Sequence, residues 1–205
     1  YHPLGQDTSS YDVTTQQACP TPPLAGGIPT SLEIDDRWSD VIDLGFEFCF
    51  FGGVYSQVLI GSNGVLSFEL DNADGYNGWS IGAEDTLPNA SNTTLSDANI
   101  FGVAHDIDPS VCGEINYMVL GSSPSRQFVV NFSEICHFSC NDLQTNSQII
   151  LYESSNTIDI NIYDKPTCET WNSGLAVVGV QNIEDTIAFT PPERNTSVWE
   201  ATDEF

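Results

Sequence analysis

The stretch His105-Asp106-Ile107-Asp108-Pro109 is where this chain could most directly do chemistry. In an extended strand residues i and i+2 share a face, so the carboxylates of Asp106 and Asp108 would stand about 7 Å apart along the pleat. Two such groups repel each other unless water or a hard cation lies between them, and calcium takes about six to eight oxygen ligands from mixed loop sources. Asp71, Asn72, Asp74 and Glu114 are available to complete such a site. The loop Asp71-Asn72-Ala73-Asp74-Gly75 lacks the Asp-x-Asp-x-Asp-Gly spacing of a calcium hand. The plainer reading is that these acids cap turns at a strand end, with Pro109 stopping the ladder. Sequence alone leaves both readings open.

Other reactive groups point less far. His137 lies between Cys136 and Cys140, as in a soft-metal site, but an oxidising compartment would consume those thiols in disulfides. No GxSxG, HExxH or Walker loop occurs, and only His2, His105 and His137 could serve as a general base. Asp106 and Glu114 could form the carboxylate pair of a glycosidase, although with 29 acids such pairs arise by chance. Trp79 and Trp171 sit among polar residues, where a sugar-stacking platform would lie. Tryptophans so placed also serve as covers for the open end of a β-sandwich.

The elements that must position these groups follow from composition and punctuation. The chain has 205 residues with 29 acidic and 4 basic side chains, a formal charge of −25. The acids are scattered singly through strand-like segments, which describes a folded acidic domain. Its field repels phosphates and anionic headgroups, which disfavours nucleic-acid binding and electrostatic membrane docking, and favours divalent cations. No apolar run is long enough to span a bilayer, which argues against direct membrane insertion. The absence of a signal-peptide pattern at Tyr1 reads as a segment of a longer multidomain chain.

Residues 1–31 are rich in proline and read as an N-terminal arm; 32–205 read as a single domain. Strands are expected over 41–50, 54–60, 64–70, 98–105, 114–120, 126–135, 147–153, 156–163, 174–181 and 186–190. Gly52-Gly53 and Asn63-Gly64 supply positive φ for tight turns, and Ser154-Ser155 separates two runs that can pair directly. Alternation places Phe128, Val130 and Phe132 on one face, and Ile158, Ile160 and Ile162 on another, with wet faces opposite. The expectation is an all-β fold, an antiparallel β-sandwich of the jelly-roll or Greek-key type. The polar stretch 71–97 is expected to be a long surface loop.

Six cysteines without zinc or redox spacing read as disulfides of an extracellular chain. They allow many pairings. Register about turns near Ser122-Ser123 and Ser154-Ser155 favours Cys112 with Cys136 and Cys140 with Cys168. Cys19 is then left for Cys49, stapling the arm to a core strand.

The strings LGFEFCFFGGVYSQVLIGSNGVLSF, ANIFGVAHDIDPSVCGEINYMVLG, RQFVVNFSEI, NSQIILYESSNTIDINI and GLAVVGVQN resemble, in order and texture, the nidogen-like (NIDO-type) extracellular β-domain across about residues 41–190. The segment PPERNTSVWEATDEF is similar to the closing stretch of domains in large secreted surface proteins of gliding Bacteroidetes. The resemblance implies a secreted, cell-surface adhesin module without enzymatic activity, which meets an extracellular surface, a glycan or another surface protein. Asp85-Thr86-Leu87 and Asp185-Thr186-Ile187 resemble the O-glycan acceptor of those bacteria, with Thr86 and Thr186 as acceptors. Sequons occur at Asn89, Asn92, Asn131 and Asn195, where they matter only if the source glycosylates asparagine. The expected function is therefore non-catalytic binding or display, with calcium as a cofactor at Asp106 and Asp108. The alternative is a carbohydrate-binding module of a secreted hydrolase acting through Trp79 and Trp171.

Overall fold

The computed structural model describes residues 26–205. Most of the expected arm, with Cys19, lies outside them. The strands are β1 Ile28–Pro29, β2 Ile42–Phe50, β3 Gly53–Gly61, β4 Val65–Ser67, β5 Ile100–Ala104, β6 Ile107–Asp108 and β7 Glu114–Leu120, followed by β8 Gln127–His137, β9 Cys140–Tyr152, β10 Ile158–Lys165, β11 Leu175–Gln181, β12 Ala188–Phe189, β13 Ser197–Val198 and β14 Ala201–Glu204. They form two antiparallel sheets facing each other as a sandwich. One runs β1-β7-β8-β9-β10-β14 with β6 beside β8, and the other runs β12-β11-β5-β4-β3-β2 with β13 beside β11.

Hairpin chemistry explains the meanders within each sheet. Phe51 and Gly52 take the positive φ between β2 and β3, so the turn lies one residue earlier than Gly52-Gly53. At Asn63-Gly64 only Gly64 is left-handed, at φ +79°. A Cβ on Gly64 would come within 2.3 Å of the Val103 carbonyl, because this turn lies directly against β5. β9 starts at Cys140, seven residues before the strand expected from 147, because the β8–β9 hairpin turns tightly at Phe138-Ser139.

The interior is apolar where alternation predicts. Phe128, Val130 and Phe132 of β8 meet Leu44, Phe48 and Phe50 of β2 and Ile60 of β3 in the main core, all nearly inaccessible to solvent. The opposite face of β8 is not wet at its centre. Asn131 is buried there in an amide ladder: its Nδ2 donates to Asn116 Oδ1 at 3.0 Å, and its Oδ1 accepts from Gln148 Nε2 at 2.7 Å. Asn161 Nδ2 extends the ladder to Gln148 Oε1. Buried polar groups persist only when paired, and strand register brings these amides side by side. Asn131 is 1% exposed, so that sequon is closed to modification.

Residues 71–97 depart from the expected surface loop. Ile81, Leu87 and Leu95 are buried against Trp38, Leu59, Val65, Phe101 and Val177 in a second core on the outer side of the β3-β4-β5-β11 layer. A short helix, Thr93–Ser96, carries Leu95, and Asn92 caps it by accepting from Thr94 N. Polar composition hid this cover because few apolar side chains serve a long segment. β5 and β11 are consequently buried on both faces.

His105 and His137 sit beside the crossover between sheets. Their Nε2 atoms share the Thr145 hydroxyl at 2.9 and 2.8 Å, with the rings edge to face at 4.5 Å. Burial, and then the buried Lys165 ammonium, hold His137 down to about 4; burial, then His137 and Lys165, depress His105 in the same direction. For a base depressed on folding, stability is intact above its unfolded pKa of 6.5 and is lost as pH falls toward 4. For His137, 1% exposed, that loss is on the order of 3 kcal/mol. Urea melts of wild type and His137→Gln between pH 7 and 4 check it; the variant is expected to lose less stability over that window. A second expectation concerns the β3–β4 turn. Gly64→Ala, strained in φ and against Val103 O, is expected to cost about 2 kcal/mol or more in the same melts at pH 7.

Candidate functional site: an acidic corner

β5 belongs to one sheet and β6 to the other, and the chain bends at His105-Asp106 to pass between them. The continuous strand expected across Asp106 and Asp108 is therefore broken. Asp106 stands at the corner, and Asp108 is held in β6 opposite Cys136. Both are buried, at 5% and 7% exposed.

Asp108 is committed locally: its Oδ1 accepts from Ser110 N at 2.9 Å and from Ser110 Oγ at 2.5 Å. This is the turn-capping role weighed from sequence. Asp106 is different. Its Oδ2 accepts from the Trp171 indole Nε1–H at 2.6 Å, while Oδ1 is buried with no hydrogen-bond partner among the described residues. Asp35 Oδ1 is in the same condition. Asp35, Asp36 and Asp106 each offer an oxygen, and these oxygens all lie within 4.8 Å of one another.

Local structure brings Asp35 and Asp36 there. They form a turn before Arg37 and Trp38, with Asp36 left-handed at φ 53°, a conformation that aspartate tolerates better than most residues. Asn63, 3% exposed, is the hub. Its Nδ2 donates to Asp36 Oδ1 at 3.0 Å and to the carbonyls of Asn77 and Gly78, and its Oδ1 accepts from Ile107 N at 3.0 Å. One amide thus ties the 35–37 turn, the 77–78 segment and β6 together.

The electrostatics follow from crowding and burial. Burial lifts the Asp35 carboxyl to about 7, with Asp36, Asp108 and Asp106 adding to it. Asp106 is lifted to about 6 by burial, against the lowering effect of the Trp171 hydrogen bond, and by Asp36 and Asp108. Asp36 is raised chiefly by burial, opposed by the bond from Asn63. None of the four basic side chains is paired with these carboxylates. Arg37 reaches Asp74 at 3.5 Å, Arg126 pairs with Glu153, Arg194 pairs with Glu204, and Lys165 donates to Trp199 O.

Of the remaining acids expected near a metal, Asp71 lies in the 3-10 turn Leu70–Asn72, Asp74 meets Arg37, and Glu114 accepts from Asn116 Nδ2 in β7. None is among the three clustered carboxylates. Sequence reasoning missed Asp35, Asp36 and Asn63. The adjacent acids of Ile34-Asp35-Asp36-Arg37 were a visible signal, but their approach to Asp106 is a tertiary fact.

Trp79 and Trp171 do come together, with ring centroids 5.4 Å apart, and Phe138 packs on Trp171 at 4.9 Å. Both indoles are half-buried, and Asn172 Nδ2 bonds Trp79 O. They brace the corner: the indole N–H that a platform would offer to a ligand is given to Asp106. The openly exposed ring nearby is Tyr76, at 62%.

Two disulfides frame this corner. Cys112 is bonded to Cys136 and Cys140 to Cys168, the pairs favoured by hairpin register. The first closes the turn that follows Asp108; the second anchors the loop that carries Trp171 onto the β8–β9 hairpin. Cys49 is exposed on β2, and its expected partner Cys19 lies outside the described residues. Thr86 and Thr186 are both exposed in loops.

Disulfides fit an oxidising, extracellular setting. Among the described residues no helix is long and apolar enough to cross a membrane, and an all-β sandwich of this kind is not a typical enzyme architecture. No curated protein and no solved structure matches the chain. The model of the NIDO-related family matches residues 10–204, so the chain belongs to that family, which suggests an extracellular binding module.

Proposed function

We propose that the chain is a non-catalytic binding and display module of a secreted cell-surface adhesin, whose acidic corner is rigidified by a calcium ion held by Asp35, Asp36 and Asp106. The observation that carries the metal reading is the pair of buried, unpartnered carboxylate oxygens, Asp35 Oδ1 and Asp106 Oδ1, within a group of three acids. A buried carboxylate oxygen without a partner is costly, and three close carboxylates without a cation repel one another. Calcium–oxygen bonds of about 2.3–2.6 Å span oxygens up to about 5 Å apart, which accommodates the observed spread. An all-oxygen donor set selects a hard cation over zinc or copper. Asp108 lies close enough to raise Asp35 and Asp106 and adds to the attraction.

The non-catalytic reading rests on the fate of the potential bases. Among the described residues, His105 and His137 share one threonine hydroxyl at the sheet crossover, and both are depressed by burial; His2 lies outside them. Glu114, the partner a glycosidase would need, lies on β7 and makes its bond to Asn116. The adhesin role is supported by family membership, by the disulfides and by an acidic surface suited to salt and divalent ions.

Thermal melts in calcium and in chelator at matched ionic strength test the reading. Calcium at about a hundred times Kd adds about 2.7 kcal/mol, or about 5–10 °C for a chain of this length. Asp35→Asn is expected to melt above wild type in chelator, because one repelling carboxylate is gone, and to lose the calcium shift. Coincident wild-type midpoints in the two buffers would overturn the calcium site.

A further inference from the structure

We propose that the calcium ion at Asp35, Asp36 and Asp106 is also a ligand-binding centre, its remaining coordination positions taking adjacent hydroxyls of a neutral sugar that lies against the exposed ring of Tyr76. This rests on the calcium reading above and goes beyond a purely structural ion.

Three carboxylates supply three oxygens if each binds through one, and Asp106 has already given Oδ2 to Trp171. Calcium takes about six to eight ligands, so several positions pass to water or to an incoming molecule. Asp106 is buried and Asp35 and Asp36 are only partly so, which leaves the 35–36 turn as the side from which a ligand would reach the ion, although Asp35 Oδ1 itself is covered.

The backbone places Tyr76 beside that turn. Residues 75–77 lie antiparallel to 36–38: Trp38 N donates to Gly75 O and Asn77 N to Asp36 O, each at 2.9 Å, with Tyr76 bridged to Arg37 between them. The phenol is raised by burial and then by Asp36, Asp106 and Asp35, which places it within the field of all three acids. Yet 62% of the residue remains exposed, which leaves it open to an incoming molecule. An exposed aromatic face beside an under-coordinated divalent ion suits a pyranose. Two hydroxyls chelate the metal, and the C–H face of the ring covers the tyrosine.

Charge selects among hydroxyl and carboxylate ligands. At −25 the chain repels anions, and Arg37, the cation nearest the corner, is engaged with Asp74. An acidic peptide or a sialylated glycan would have to approach against that field. A neutral polyol does not.

The test is a glycan array probed with the biotinylated chain, tetramerised on streptavidin because a single shallow site binds weakly, in calcium and in chelator, alongside calorimetric titration of the chain with calcium alone. The expected result is binding to neutral glycans in calcium, loss of that signal in chelator, and at least a tenfold loss in Tyr76→Ala with its calcium affinity unchanged. Calcium binding by calorimetry without any neutral-glycan signal overturns the sugar proposal and leaves the structural ion standing. A signal confined to acidic glycans, or one that survives chelator or Tyr76→Ala, also overturns it. A flat calcium titration removes both readings.

Discussion

The amide of Asn63 is the interaction on which the rest of the corner depends. It sits in the β3–β4 turn of one sheet, accepts from the Ile107 amide of the other, and donates to Asp36 and to the carbonyls of Asn77 and Gly78. Ile107, Asn77 and Gly78 are buried and Asp36 is partly so, and each would lose a hydrogen bond without it. An asparagine can do this because its single planar amide both donates and accepts. No apolar residue of the same size could join four segments at once. The neighbouring Gly64 is the condition for it: only a residue without a Cβ lets the turn lie against the Val103 carbonyl, which brings Asn63 to the crossover.

Stability and site are coupled through cross-links rather than ion pairs. With 4 basic residues among 29 acids, salt bridges contribute little. The apolar cores hold the sheets together, and the Cys112–Cys136 and Cys140–Cys168 bonds hold the two loops that face the corner. Trp171 is the link between these systems. Its ring packs with Trp79 and Phe138, and its N–H stabilises the charged form of Asp106.

The long segment 71–97 shows how tertiary burial can escape composition. Ile81, Leu87 and Leu95 are far apart in sequence and surrounded by polar residues, so no periodicity marks them. Together they still seal the outer face of the second sheet. The same segment carries Tyr76, bridged to Arg37, and Trp79, whose ring meets Trp171 beside the acidic corner.

Much of the fold was legible in the chain itself. Period-two alternation in β2, β8 and β10, Gly and Asn-Gly punctuation, and hairpin register were enough to expect an antiparallel sandwich and to favour Cys112 with Cys136 and Cys140 with Cys168, because these signals are local or propagate along a ladder. Asp106 was legible too, as an acid at a strand end. Its partners were not. Asp35 and Asp36 lie about seventy residues earlier, and nothing in strand periodicity reports which loop returns to a given corner. Asp71, Asp74 and Glu114 were nearer in sequence or chemistry but belong to other turns and strands. Sequence determined which residue types could bind a hard cation and what scaffold would carry them. Only the crossover of the chain between its two sheets decided which carboxylates meet, because that meeting is set by packing over long sequence separation rather than by local conformation.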